Sequence, residues 1–230
     1  MLYVDNIQYN IIRKTLDKIE DAYKQSNDKN IRNIVKDKTY YDLMLHIPGF
    51  DVFEEDFNRC KMSNLYEVCE LRDLVLQELE ISKLPEISEK QVKKMFKKLP
   101  DKYIKQIYFD YNKRVSLGSL TYYSKQIDEN TKIYIFYENG QFYSEVCKTS
   151  LNANGSRELQ CHLCNQMRKG YDIGYIARRI KSKSDNYTSR MVSCCADNDM
   201  CNHDITQTYK IKEFFEFKEN VKNEENIYSN

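Results

Sequence analysis

The cysteines in the C-terminal half constrain this chain more than any other feature of the sequence. Cys161 and Cys164 form a C-x2-C pair, and Cys195 and Cys201 form a C-x5-C pair further along the chain. The C-x2-C spacing lets two thiolates bind one ion from a tight turn, and four thiolates complete the tetrahedral shell of a structural zinc ion. The spacing therefore predicts one structural Zn²⁺ site with no coordination position left open for a substrate.

The order of the predicted elements around these cysteines indicates a treble clef, in which a knuckle and a hairpin precede a helix. Cys194 adjoins Cys195, and two neighbouring residues seldom both reach one ion, so we expect Cys194 to be packed or partly exposed. His162 and His203 compete for the same role, but the interpretation we favour makes them turn residues or partners of ligands. A set of disulfides is the remaining alternative, and the lack of an export signal disfavours it.

The N-terminal part has the periodicity of amphipathic helices, with apolar residues at steps of three and four. Asp5 is a suitable N-cap for the first helix, and Ser63 with Glu67 is suitable for the fourth. Four amphipathic helices with short connections are most simply packed as a bundle. The predicted helices run from Asp5 to Gln25, from Asn30 to His46, from Val52 to Cys60, and onward from Ser63.

The segment "SKLPEIS" (Ser82–Ser88) marks a predicted domain boundary, because Pro85 interrupts the helical pattern. We therefore predict a helical bundle over residues 1–82 and an α/β domain over residues 83–230. Ser88 can cap a short basic helix, "EKQVKKMFKKL". Its lysines are predicted to form a solvated face over an apolar one.

After Pro100 the hydrophobic period changes toward that of strands. Asn139-Gly140 separates two β-branched and aromatic runs, which is the pattern of a two-residue type I′ hairpin. Further strands are predicted at Tyr171–Ile180 and Tyr187–Val192, and a final helix from Asp204 to about Val221. The predicted fold class is α+β, with an N-terminal four-helix bundle followed by an α/β domain that carries a treble-clef-like zinc site of four cysteines.

Composition and motif content favour a binding protein over an enzyme. Lys and Arg total 36 against 35 Asp and Glu, so a net charge of +1 gives no general reason to expect a nucleic-acid partner. No apolar run approaches the ~18 residues of a membrane span, and no secretory signal is visible, so we expect a cytoplasmic protein without a membrane partner. The motifs of zinc deaminases, zinc proteases and serine hydrolases are missing.

Three stretches of the sequence resemble one family. They are "IRKTLDKIEDAYKQSNDK", "KLPEISEKQVKKMFKK" and the cysteine motif "CHLCN…CADNDMCN". They are similar to the FusB-type fusidic acid resistance proteins, which bind elongation factor G. The resemblance implies a helical bundle followed by a four-cysteine zinc domain. It also implies binding to the C-terminal domains of elongation factor G and release of that factor from drug-stalled ribosomes, with no small-molecule substrate and with a monomeric chain.

The resemblance also implies roles for particular residues. The family's zinc ligands match Cys161, Cys164, Cys195 and Cys201. A basic residue of the family's binding face matches Arg190, and an aromatic residue of its last helix matches Phe214, with Phe215 and Phe217 close by. Three phenylalanines within four helical positions cannot all face inward, so we expect at least one to be exposed.

Two aromatic positions of the family differ in this chain. Gln160 stands just before the first cysteine, and Ser193 stands two places before the third. Aromatic anchors usually carry much of the energy of an interface, so these replacements predict a weaker hold on elongation factor G.

A basic cluster supports a second hypothesis. Arg178, Arg179, Lys181 and Lys183 lie on a predicted strand or its exit loop. They are interpreted either as a solvated edge that discourages sheet pairing or as a contact with an acidic factor or ribosomal RNA. The alternative function is therefore a zinc-containing RNA- or ribosome-binding protein.

Overall fold

The computed structural model describes residues 1–118, 120–151, 157–181, 187–207 and 209–214. The chain divides into two compact units, which we call unit 1 (Met1–Ser82) and unit 2 (Lys83–Asn230). Within the described ranges, no helix combines the length and the hydrophobicity that crossing a bilayer requires. Helices of unit 1 are followed by the sheet of unit 2, so the predicted α+β class is confirmed.

Unit 1 contains the predicted helices. A 3-10 turn, Phe50–Phe53, precedes the third of them. Ile12, Leu16 and Leu43 are buried in one apolar core, which also includes Phe50. The helices are α1 (Asn6–Gln25), α2 (Lys29–His46), α3 (Glu54–Arg59) and α4 (Leu65–Gln77).

Side-chain caps set where two of these helices begin. Asp5 caps α1 in a reciprocal capping box, in which the Gln8 backbone N–H donates to Asp5 Oδ1 at 2.7 Å and the Asp5 N–H donates to Gln8 Oε1 at 2.9 Å. The cap of α4 differs from the prediction by one residue. Asn64 accepts from the Glu67 N–H, whereas Ser63 donates its backbone N–H to the Glu67 carboxylate.

A parallel strand pair, β1 (Leu2–Val4) with β2 (Leu79–Ile81), joins the two ends of unit 1. The pair was not predicted. Each strand has three residues, which is too short for a period-two pattern to be recognisable, and the pairing spans the whole unit.

Unit 2 is a five-stranded antiparallel sheet with helices against it. The strand order is β3-β4-β5-β8-β9, and β6 and β7 form a separate two-stranded pair. The elements are α5 (Glu89–Met95), α6 (Asp101–Leu117), β3 (Tyr122–Asp128), β4 (Thr131–Glu138), β5 (Gln141–Leu151), β6 (Leu159–Gln160), β7 (Met167–Arg168), β8 (Ile173–Lys181), β9 (Tyr187–Cys195) and α7 (Asn198–Asp204).

The predicted hairpin joins β4 to β5. Asn139 and Gly140 have φ values of 49° and 78°, as a type I′ turn requires, and Glu138 pairs with Gln141 across it. The predicted final helix does not begin at Asp204, because α7 ends there and residues 205–207 are not helical, whereas residues 209–214 are. The predicted remainder of that helix, beyond residue 214, lies outside the described residues.

The sheet is covered on both faces, and alternation along the strands assigns each side chain to one of them. Tyr123 and Ile135 lie on one face, in a core with Ile107 and Tyr111 of α6. Neighbouring positions, among them Tyr122, point to the opposite face, where the cysteines lie. The sequence interpretation missed α6, although Asp101 follows a proline and its apolar residues recur at helical spacing.

Gly174 is a position where only glycine fits, because β5 passes very close to β8. A Cβ added at Gly174 would lie 2.7 Å from the backbone oxygen of Ser150. We expect Gly174→Ala to lower the free energy of unfolding of unit 2 by about 1–3 kcal/mol, the usual cost of overpacking. Thermal unfolding followed by circular dichroism measures the change. Gly118→Ala is the control, since its Cβ would meet nothing within 4 Å. Equal melting temperatures for both variants would contradict the prediction.

Candidate metal centre

Four buried sulfurs converge on the face of the sheet opposite α6. The Sγ atoms of Cys161, Cys164, Cys195 and Cys201 all lie within 4.8 Å of one another. The Cys161–Cys201 distance is 3.7 Å and the Cys164–Cys195 distance is 3.6 Å. A zinc ion with Zn–S bonds of ~2.3 Å places its ligands about 3.8 Å apart, whereas a disulfide needs ~2.05 Å. The predicted group of four cysteines is present, and its geometry suits a single tetrahedral metal ion.

Local backbone geometry delivers the first two sulfurs. Cys161 and Cys164 lie in the turn between β6 and β7, and the chain reverses at Asn165, whose φ is 62°. The Asn165 N–H donates to Cys161 O at 2.9 Å, and the Cys161 N–H donates to Gln166 O at the same distance. These two bonds close the knuckle and leave both sulfurs on its inner side.

The other two sulfurs flank a short helix. Cys195 is the last residue of β9, and Cys201 lies on α7. Asp197 caps α7 by accepting from the Asp199 N–H at 2.7 Å. The backbone N–H of Cys195 also donates to Cys161 Sγ at 3.4 Å, so the strand end and the knuckle are joined directly. Knuckle, hairpin and helix follow in the predicted treble-clef order.

The thiols perturb one another strongly. Hydrogen bonds from neighbouring thiols, Cys164 first, hold the pKa of Cys161 well below its ordinary value. The same contacts raise the pKa of Cys195 and of Cys201 above the usual thiol range. A coordinated metal ion deprotonates its thiols outright, so the donor set fits a divalent, sulfur-binding ion.

Positive charge lies next to the cluster. Lys132 is buried, and its Nζ donates to Ala196 O at 2.8 Å; burial lowers the pKa of this ammonium and the nearby thiols oppose that shift. Arg168 contacts the Cys195 thiol and pairs with Asp204. A divalent ion with four thiolates would have a net charge of about −2, and the Lys132 ammonium would offset part of it, since Arg168 is already paired with Asp204.

Asn202 fastens α7 to the sheet and was missed in the sequence. It is buried, and its Oδ1 accepts from the backbone N–H groups of Thr121 at 2.6 Å and Tyr122 at 3.1 Å. Its Nδ2 donates to Tyr122 O at 2.9 Å and to Asn198 O at 3.0 Å. In the sequence, the role of Asn202 was indicated only by its position directly after Cys201.

We expect Asn202→Ala to destabilise unit 2 by about 2–4 kcal/mol, because it removes four hydrogen bonds to backbone groups, each worth roughly 0.5–1.5 kcal/mol. Thermal unfolding of the metal-loaded chain measures this. His203→Ala is a matched control, since the neighbouring side chain is 61% exposed and its removal should change stability by less than about 0.5 kcal/mol. An Asn202 variant as stable as the control would show that these bonds contribute nothing.

The three competing residues lie outside the sulfur group. Cys194 is buried, and burial raises the pKa of its thiol. His162 Nε2 lies 3.9 Å from Glu213 Oε2, and His203 Nδ1 lies 3.5 Å from Asp204 Oδ1. Each histidine therefore faces a carboxylate near the site.

Two of the predicted partner contacts are buried in the structure. Arg178 is 3% exposed; its Nη2 lies 2.8 Å from Glu145 Oε2, and its Nη1 donates to Phe214 O at 2.5 Å. Phe214 is 7% exposed and packs edge-on against the Tyr134 ring at 5.4 Å between centroids. Both side chains hold the segment 209–214 against the sheet, so neither presents a surface to a partner here.

The remaining predicted contacts are placed differently. Arg190 has 37% of its side chain exposed and pairs with Glu213 at 2.5 Å, which holds the pKa of that carboxyl below its usual value. It lies directly across from Arg178 on β8, and each arginine has its own glutamate, which relieves their repulsion. Phe215 and Phe217 lie outside the described residues, as does the side chain of Arg179.

A surface that the sequence interpretation did not identify lies beside the knuckle. Gln160 pairs with Met167 across the β6–β7 hairpin, and Ser193 Oγ donates to Gln160 O at 2.6 Å. Met191 lies two residues from Ser193, on the same face of β9. Met167 is 51% exposed and Met191 is 63% exposed. We call these four residues the knuckle surface; its flexible methionines lie next to the two positions that lack the family's aromatics.

Comparison with solved structures gives a likeness over nearly the whole chain. A solved structure described as that of the fusidic acid resistance protein FusC matches this chain with a TM-score of 0.67 and 16% sequence identity. The match covers 94% of this chain and 97% of that one. No protein-family model and no curated protein matches the sequence. The resemblance to the FusB-type proteins is thus confirmed at the level of the fold.

Proposed function

We propose that this chain protects translation from fusidic acid by binding elongation factor G and promoting its release from drug-stalled ribosomes. The observation that carries this proposal is the likeness to a fusidic acid resistance protein over nearly the whole of both chains. A likeness covering the helical unit and the unit with the four-cysteine group together is more specific than one shared zinc knuckle would be.

The proposed role of the metal site is structural. Four cysteines would hold Zn²⁺ in a closed shell, which leaves no position for an activated water or a substrate. The metal would supply folding energy to unit 2 and so fix the knuckle surface in place. We therefore propose a protein that acts by binding, without catalysis.

We propose that the partner contacts the knuckle surface together with Arg190. This region is exposed, and it is held rigidly by the bond from Ser193 to Gln160 and by the adjacent metal ligands. Exposed methionines adapt to a partner's shape, so Met167 and Met191 can supply the apolar contact that aromatics supply elsewhere. Arg190, already oriented by Glu213, would add a charged contact at the edge.

Release of the factor requires a difference in binding affinity between two of its states. A protein that bound elongation factor G equally well on and off the ribosome would shift nothing. The chain must therefore bind more tightly to the factor as it leaves the ribosome than to the stalled complex. Elongation factor G acts in the cytoplasm, so the proposal implies a cytoplasmic, monomeric protein that affects the ribosome indirectly.

A reconstituted translation reaction tests the function. We expect the metal-loaded chain to restore reporter synthesis at a fusidic acid concentration that otherwise blocks it, by roughly tenfold or more. A drug that inhibits the peptidyl transferase centre is the control, and its inhibition should be unchanged. Failure to restore synthesis, or equal relief of both drugs, would contradict the proposal.

A further inference from the structure

The positive charge of this chain is concentrated in one segment. Residues 83–118 include ten basic and four acidic residues, a net charge of +6, although the whole chain has a net charge of only +1. The segment comprises α5, α6 and the turn between them. A concentration of positive charge over a pair of helices attracts polyanionic partners.

The lysines of α5 and of the turn that follows it form a stripe opposite the apolar face of the helix. Lys90, Lys94 and Lys97 recur at helical spacing, and all three are exposed. Val92 and Phe96, on the other side, are buried in the core of unit 2. The stripe therefore faces away from the sheet, as helical periodicity requires.

The outer face of α6 combines lysines with an aromatic ring. Lys102, Lys105 and Lys113 are exposed at intervals of about one helical turn or its multiples, and Phe109 lies among them with 68% of its surface exposed. Ile104, which belongs to the buried side of the same helix, is 1% exposed. We call these residues, with the lysine stripe of α5, the α5–α6 surface.

Almost no carboxylate neutralises this surface. Among the residues that the structure describes, Lys93 is the lysine of α5 and α6 with a carboxylate in ion-pair distance, Asp101 Oδ1 at 2.9 Å. That pair links α5 to the first residue of α6. The other lysines of the two helices are exposed, and Lys102 Nζ lies 4.7 Å from the Tyr103 ring centroid. An exposed ammonium group can exchange its counterion for a phosphate.

We propose that the α5–α6 surface binds RNA through its phosphate backbone, with Phe109 stacking on an unpaired base. Ammonium groups contact phosphates without distinguishing base sequence. An aromatic ring surrounded by cations is typical of surfaces that bind single-stranded nucleic acid. An interface for an acidic protein usually has apolar anchors at its centre and charges at its rim, whereas here the exposed Phe109 ring lies among lysines. This contact is separate from the knuckle surface and does not depend on elongation factor G.

Fluorescence anisotropy of a labelled RNA hairpin with an unpaired loop, titrated with the full metal-loaded chain, tests the proposal. Between 50 and 300 mM KCl we expect log affinity to fall linearly with log salt, at roughly −0.7 per phosphate contact. The triple variant Lys94→Gln, Lys102→Gln, Lys105→Gln should bind roughly tenfold more weakly at low salt and reduce the slope by about 2. Phe109→Ala should weaken binding roughly tenfold with an unchanged slope.

The control has the same loss of charge on unit 1. The control variant Lys18→Gln, Lys29→Gln, Lys38→Gln removes three exposed lysines there. Its affinity for the hairpin should fall by no more than about twofold, the effect of the lower net charge. Equal weakening by both triple variants would overturn the proposal, since binding would then reflect net charge alone. Affinity that does not depend on salt would also overturn it. So would displacement of the RNA by low concentrations of polyglutamate, which would assign the surface to an acidic protein.

Discussion

Replacing Cys161 with serine is expected to abolish metal binding and to unfold most of unit 2. Cys161 is fully buried, lies 3.7 Å from Cys201 Sγ and accepts a hydrogen bond from the Cys195 N–H. Apparent binding energies of ~10–16 kcal/mol for structural zinc in small finger peptides equal or exceed the ~5–15 kcal/mol net stability of a typical domain. Metal analysis together with near-ultraviolet circular dichroism measures both losses.

Cys69→Ser is the matched control for that substitution. Cys69 lies on α4 in unit 1, is half-buried and is not one of the four clustered cysteines. The control should keep its full metal content and nearly its full stability. Removing the metal from the unmodified chain with a chelator should reproduce the loss of structure caused by Cys161→Ser. A metal-free chain with an unchanged near-ultraviolet spectrum would refute a structural role for the site.

Arg178→Met is expected to destabilise unit 2 by about 3–5 kcal/mol, because it removes the guanidinium that lies 2.8 Å from the Glu145 carboxylate at a buried position. The substitution also removes the bond to Phe214 O, which holds the segment 209–214 to the sheet. For a unit of this size the loss corresponds to roughly 10 °C in Tm. Combining it with Glu145→Leu should recover much of the stability, since both charges are then gone.

The exposed arginine across the strands provides the comparison. Arg190→Met breaks an ion pair that is 37% exposed on the arginine side, so its cost should be about 1 kcal/mol or less. An unchanged Tm for Arg178→Met would show that the buried ion pair does not stabilise unit 2. Arg178 would then again be a candidate for a contact with the partner. No rescue by the double substitution would likewise argue against the Glu145 partnership.

Local chemistry made part of this fold predictable. The spacing of Cys161 and Cys164 is a short-range property of a turn, and the structure places their sulfurs in one cluster with the two later cysteines. Asn139-Gly140 specifies its turn by the positive φ values that it tolerates, and Asp5 specifies a helix start by capping it. Each of these features depends on residues close together in sequence.

Features that depend on distant partners were not predictable. Arg178 looked like an exposed strand cation because its partner, Glu145, lies on another strand. The role of Asn202 depends on backbone groups of β3, far away in sequence. The helix α6 was not predicted, because the aromatic runs that follow it indicated strands for the region after Pro100. Its own apolar residues nevertheless recur at helical spacing. Burial and pairing at long range decide such positions.

The most direct test of the proposed function is a calorimetric titration of the metal-loaded chain into elongation factor G from a low-GC Gram-positive bacterium. We predict one-to-one binding that weakens roughly tenfold with Met191→Ser, a change of about 1.4 kcal/mol at an exposed position that should leave Tm unchanged. The variant of the α5–α6 surface, Lys94→Gln, Lys102→Gln, Lys105→Gln, should bind the factor with the affinity of the unmodified chain. A folded, metal-loaded chain that does not bind elongation factor G would contradict the central proposal.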